Sequence, residues 1–186
     1  MSILVTGATG FVGSAIVRRL VAENIDIRVL IRDTSNRLNL TGQKIEILLG
    51  DLLDMQSLDE AMKGCKTLIH TAADYRMWAK NPQEIIDSNV LGTKNIMTAA
   101  ANAGVNKILY TSSVAALGTT SLGYSVNEDT PSKIEDKIGA YKKSKFLAEQ
   151  EVLRMHQNEG LPVIIVNPSV PIGPRDVKPT PTGQLV

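Results

Sequence analysis

The sequence predicts an α/β fold, a doubly wound parallel sheet with helices on both faces, and three observations predict it. Short runs rich in Ile, Leu and Val alternate with segments of helical period along the chain. The runs are apolar throughout rather than alternating with polar residues, as strands buried on both faces require. The first run leads directly into Thr6-Gly7-Ala8-Thr9-Gly10-Phe11-Val12-Gly13, a glycine turn between a strand and an amphipathic segment.

Strands are expected near 2–6, 26–31, 45–49, 66–71, 107–111 and 162–167. In the turn after the first strand, Gly7 permits the tight bend. Gly10 lets the backbone approach a pyrophosphate, and Gly13 lets the helix pack closely on the sheet. The helix start, with free N–H groups and a positive dipole end, then faces the phosphates. That arrangement is the Rossmann type of dinucleotide site, although a glycine triplet alone also suits a turn that binds nothing. In the first helix, Val12, Ala15, Ile16 and Leu20 form an inward stripe, and Arg18, Arg19 and Glu23 face water. A longer helix follows Pro82, with Ile85, Asn89, Gly92, Ile96, Ala100 and Ala103 on one face and Gly104 as its cap. Another runs from about 139 to 158 and stops at Gly160.

Composition narrows the function classes. With 186 residues, 43% of them hydrophobic and 21% charged, the chain has the balance of an ordinary globular domain. A formal net charge of +1 gives no electrostatic case for nucleic acid, and 4% aromatics leave few platforms for stacking bases. One cysteine, Cys65, allows neither an intrachain disulfide nor a cysteine metal site, so no metal is expected. No stretch approaches the roughly 18 apolar residues of a membrane span. A cytoplasmic protein acting on a small molecule is the expectation, with peripheral membrane association left open.

The strand ends carry the candidate chemistry. Arg32 comes first off the second strand, where an arginine pairs with the 2′-phosphate of NADP and an acidic residue would accept from the ribose of NAD. Arg37 can fold back to join it. Asp33 keeps NAD(H) open, but NADP(H) is favoured. Asp51, followed by Leu52, can accept from an adenine amino group, and Thr71-Ala72-Ala73 leave room for the cofactor to cross the sheet edge. Tyr141 and Lys145 form Y-x-x-x-K on a helix, a spacing that puts both on one face. An ammonium there favours the phenolate and brings a tyrosine of pKa about 10 towards use as a general acid or base. Ser112 and Ser113 end the fifth strand, where a serine can hydrogen-bond the substrate oxygen. His70 is expected to be a satisfied core residue and His156 solvated. Neither has a nucleophile at a suggestive spacing, and no G-x-S-x-G elbow occurs.

These residues resemble the extended short-chain dehydrogenase/reductase family, the NAD(P)-dependent epimerase/dehydratase and dihydroflavonol-reductase group. The matching marks are Thr6 to Gly13, Gly50-Asp51, His70 to Ala73, Asn89-Val90-x-Gly92-Thr93-x-Asn95, Thr111 to Ser113, Tyr141 to Lys145, and Asn167-Pro168. More narrowly, Ala73 to Trp78 and Pro174 to Gly183 are similar to the hopanoid-associated sugar epimerase subgroup. The resemblance implies Ser113, Tyr141 and Lys145 as the catalytic set, with Ser113 preferred over Ser112 because Gly118 follows it by five residues. It implies that Asn89 steadies the site and that Pro168 lies against the nicotinamide.

Cofactor contacts are thus expected from Gly7, Thr9, Gly10, Phe11, Val12, Gly13, Arg32, Asp51, Leu52, Thr71, Ala72, Ala73, Tyr141, Lys145 and Pro168. Family members run on past residue 186 with a seventh strand and a substrate domain. Residues 1–170 are therefore expected to form the dinucleotide-binding domain and 171–186 the start of a truncated substrate-binding region. The implied activity is hydride transfer at a secondary alcohol or ketone of a sugar-nucleotide or dihydroflavonol-like substrate, by reduction or epimerisation. A homodimer stays open, as does the alternative of a non-catalytic NADP(H) sensor or scaffold.

Overall fold

The apolar runs pair as one parallel sheet in the computed structural model, which describes residues 2–120 and 124–185. The strands are β1 (Ser2–Thr6), β2 (Ile27–Ile31), β3 (Glu46–Leu49), β4 (Cys65–His70), β5 (Lys107–Thr111) and β6 (Val163–Val166). Their order across the sheet is β3-β2-β1-β4-β5-β6. The helices are α1 (Phe11–Ala22), α2 (Met55–Met62), α3 (Gln83–Asn102) and α4 (Ala140–Glu159). Winding reverses between β1 and β4, and a doubly wound sheet opens its ligand crevice at that switch, outside the carboxyl ends of the strands.

Successive strand residues point to opposite faces, and two cores result. Leu4, Leu30, Leu68, Ile108 and Tyr110 pack beneath α2, α3 and α4, with Leu58, Met62, Ile96, Met97, Val152 and Met155. Val5, Val29, Ile31 and Ile69 pack beneath Val17 of α1 and Leu40 of a short 3₁₀ turn. The second face is covered less completely. Ile164 and Val166 of β6 remain 54% and 37% exposed.

Helix ends follow local chemistry. Asp54 caps α2 by accepting from the Gln56 N–H. Asn81 accepts from the Gln83 N–H at the start of α3, and Gly104 follows that helix at φ +63°. Gly160 ends α4 in the left-handed conformation. The inward face of α1 departs from the expected stripe. Its buried residues are Gly13, Ser14 and Val17, whereas Ala15 is exposed. Ile16 and Leu20 of the expected stripe do pack on the second core, and only where α1 lies nearest the glycine turn, at Gly13 and Ser14, are the inward residues small.

Candidate active site

At the glycine turn, the structure separates two glycines demanded by the fold from one that is not. Gly7 has φ +70°, and a Cβ there would lie 2.5 Å from the Ala72 nitrogen. A Cβ on Gly13 would lie 2.1 Å from the Gly7 carbonyl oxygen. Both positions exclude any side chain. A Cβ on Gly10 would meet only the Gly7 oxygen, at 3.3 Å. The fold itself has little need of glycine at position 10, and its smallness leaves the backbone bare where α1 begins. No side chain caps that helix, and its first turn holds no acidic residue. Uncapped N–H groups beside bare backbone fit the pyrophosphate of a dinucleotide.

Around this turn, Thr71 donates its hydroxyl to the Thr6 carbonyl at 2.7 Å, and Ala72 presses on Gly7. Phe11, Val12 and Ala73 are half-buried nearby in sequence. Asp51 Oδ1 accepts from the Leu53 N–H at 2.9 Å, and the Leu52 carbonyl accepts from Asn95. Arg32 is exposed and forms no ion pair among the described residues. Arg37 folds back as far as Asp33, the neighbour of Arg32, and pairs with it at 3.6 Å. Asn39 was not foreseen. It is buried and donates to both the Thr9 and Arg175 carbonyls at 3.2 Å. It thereby ties the loop after β2 to the glycine turn and to the segment after β6, and a contact across 136 residues leaves no periodic trace.

The catalytic candidates meet at the carboxyl edge of β5. Ser113 caps a 3₁₀ turn, its hydroxyl accepting from the Ala115 N–H at 3.1 Å. Tyr141 and Lys145 stand one turn apart on α4. Burial raises the Tyr141 phenol above its usual value, and the nearby Ser113 hydroxyl opposes the rise. The expected lowering by Lys145 is not found in the protein's own groups. The Lys145 ammonium instead donates to the Thr111 carbonyl at 2.9 Å and to the Tyr110 hydroxyl at 3.4 Å. Burial lowers Lys145 to about 8, against an opposing pull from Glu149. Ser112 is the less exposed of the two serines, but its hydroxyl has no hydrogen-bond partner among the described residues.

A polar scaffold stands behind these groups. Asn89 accepts from the Asp74 N–H at 2.6 Å and donates to the Asp74 carbonyl and the Ser144 hydroxyl. This joins α3 to α4 beside Tyr141, the steadying role expected of it. His70 is fully buried between the hydroxyls of Thr6 (2.6 Å) and Thr93 (3.2 Å) and stacks on Tyr110. It is a satisfied core residue, as expected. His156 is exposed, but its Nδ1 also contacts the Leu161 carbonyl at 2.8 Å beyond the helix end. Asn167 donates to the Ser113 carbonyl at 3.1 Å and the Glu149 carboxylate at 2.8 Å. The Pro168 carbonyl accepts from the Val114 N–H. Among the described residues, no cluster of three or more metal-ligating side chains occurs, and no helix is long and apolar enough to cross a membrane.

Residues 3–186 match the NAD dependent epimerase/dehydratase family. The chain belongs to that family of enzymes. A Synechocystis protein provisionally named dihydroflavonol 4-reductase is 47% identical over 98% of this chain and 52% of its own length. Sterol demethylase protein B of Methylococcus capsulatus is 38% identical over 100% of this chain and 56% of its own. The crystal structure of gox2253 superposes with a TM-score of 0.95 at 54% identity, covering 99% of this chain and 56% of that one. The NAD complex of Thermus thermophilus UDP-glucose 4-epimerase superposes at 0.80 with 27% identity, covering 90% and 54%. The chain thus spans about half the length of the curated relatives it matches.

Proposed function

We propose that this chain is the nucleotide-binding part of an NADP(H)-dependent oxidoreductase or epimerase acting at a secondary alcohol or ketone. The observation that carries the reading is the placing of buried Lys145, one turn from Tyr141 on α4, against the carboxyl end of β5, where its ammonium donates to the Thr111 carbonyl at 2.9 Å, two residues before Ser113. Residues 1–170 form the nucleotide-binding unit, and 171–186 lead into the substrate-binding region. The glycine turn holds the pyrophosphate, and Arg32, exposed off β2 with no ion pair among the described residues, pairs with the 2′-phosphate. When bound, the nicotinamide supplies or accepts the hydride.

Tyr141 carries the proton that passes to or from the substrate oxygen, and Ser113 orients and polarises that oxygen. Lys145 holds the nicotinamide ribose and biases Tyr141 once the cofactor shares its ammonium. Relatives named as dihydroflavonol 4-reductases and a structural neighbour named UDP-glucose 4-epimerase support a dihydroflavonol-like or sugar-nucleotide substrate. The test is NADPH oxidation by the full-length protein across a panel of ketones, together with epimer formation from sugar nucleotides, since epimerisation returns the hydride and consumes no net cofactor. Turnover by the wild type, lost by a hundredfold or more in Tyr141→Phe, is expected. Full turnover by that variant would remove the assignment.

A further inference from the structure

Glu149 is a charged side chain that the reaction outlined above does not use, and it is nonetheless nearly buried. It lies on α4 one turn beyond Lys145 and two turns beyond Tyr141. Leaving a carboxylate in such a place without partners is costly. Its partners are specific. Oε2 accepts from Asn167 Nδ2 at 2.8 Å, and the same amide group donates to the Ser113 carbonyl at 3.1 Å. An amide NH₂ carries two hydrogens, so Asn167 serves both acceptors at once. The neighbouring chain is joined to it as well. The Ser112 N–H donates to the Val166 carbonyl at 2.8 Å, and the Val114 N–H donates to the Pro168 carbonyl at 3.2 Å. The serine segment and the exit of β6 therefore form one hydrogen-bonded unit, and Glu149 is its anchor on α4.

We propose that Glu149 is a positioning residue of the active site. Through Asn167 it fixes the backbone of Ser113 to the helix that carries Tyr141 and Lys145, and it is the buried counter-charge to Lys145. This role rests on the reading of Ser113, Tyr141 and Lys145 as the catalytic set. Among the described residues, the other groups that meet Lys145 are uncharged. His70 on β4 and Tyr110 on β5 face it, and its hydrogen bonds go to a carbonyl and a phenol. Lys137, in the turn before α4, is a second buried ammonium within the field of Glu149, and its amine donates to the Leu117 carbonyl. Glu149 is thus the anion offsetting the charge of Lys145, and it works against the burial that lowers that lysine.

The test uses lysine labelled with ¹³C at Cε in the nucleotide-free chain, with the Lys145 resonance assigned by its loss in Lys145→Arg. Wild-type Lys145 is expected to titrate near 8. In Glu149→Gln, which keeps the acceptor for Asn167 but removes the charge, the midpoint should fall by about one unit. Glu149→Asp, which restores the charge, should bring it back. Asn167→Ala should leave the lysine midpoint in place but speed amide exchange at Ser112 and Val114 at least tenfold. An unchanged midpoint in a folded Gln variant overturns the counter-charge. Unchanged exchange in Asn167→Ala overturns the anchor, and that arm stands even where the Gln variant does not fold. Neither readout needs nucleotide or substrate. Failure to bind NADP(H) would leave this result standing, and failure here would leave nucleotide binding untouched.

Discussion

Acidification should weaken the fold in part through His70. Its ring is fully buried, lies between the Thr6 and Thr93 hydroxyls and stacks on Tyr110. Burial lowers its pKa from the ordinary 6.5 to about 3, and the nearby Lys145 ammonium adds to the shift. The depressed value means that the unfolded chain takes up the proton first as pH falls. Stability from a neutral His70 is complete above 6.5 and is lost as pH drops towards 3. Each unit in that window removes about 1.4 kcal/mol, so moving from pH 7 to pH 4 costs on the order of 3 kcal/mol. That is a large part of the stability of a typical domain.

Urea unfolding at several pH values, on the wild type and His70→Gln, measures it. The difference between the two proteins should be flat above pH 6.5 and slope by about 1.4 kcal/mol per unit below it. The sequence has two histidines, so imidazole proton spectra give a second reading on the wild type alone. The His70 signal should not titrate between pH 7 and 5. Equal acid slopes in the two proteins, or a His70 signal that titrates near 6.5, would refute the reasoning.

The glycine turn gives a paired prediction. Gly13→Ala sets a methyl group 2.1 Å from the Gly7 oxygen and should destabilise the chain by about 3 kcal/mol or prevent folding, read as a fall in Tm. Gly10→Ala meets only a 3.3 Å contact and should keep Tm within a few degrees while weakening nucleotide binding at least tenfold. Asn89→Ala removes three hydrogen bonds, strands the Asp74 N–H and should cost about 2–4 kcal/mol in urea unfolding.

All six strands were legible in the sequence to within a residue or so at each end, because apolar runs of that length between turns have few other readings. Helix α2 was not foreseen. Met55, Leu58, Ala61 and Met62 have helical spacing behind the Asp54 cap, but eight residues carry too short a period to stand out against a loop. The stripe on α1 held at Ile16 and Leu20, which pack on the second core, and failed at Ala15, which is exposed. Apolarity marks an inward face only where side chains fit, and the contact of Gly13 with the Gly7 oxygen leaves no room for them. Spacing likewise placed Tyr141 and Lys145 on one face of α4 without showing where the ammonium goes. That is decided by the Thr111 carbonyl and the Tyr110 hydroxyl, over thirty residues earlier in the chain. Asn39 and Glu149 act through contacts of the same long-range kind.

The glycine turn and Arg32 are expected to bind a dinucleotide and read its 2′-phosphate. Fluorescence titration of the chain with NADPH and, separately, NADH tests this most directly, with Arg32→Ala as the control. The account predicts saturation with both and tighter binding of NADPH. Arg32→Ala should cost NADPH about tenfold or more and leave NADH unchanged, since a hydrogen bond to a charged group contributes about 1.5–3 kcal/mol. A folded chain that saturates with neither nucleotide, or an Arg32→Ala variant that keeps the full preference for NADPH, would contradict it.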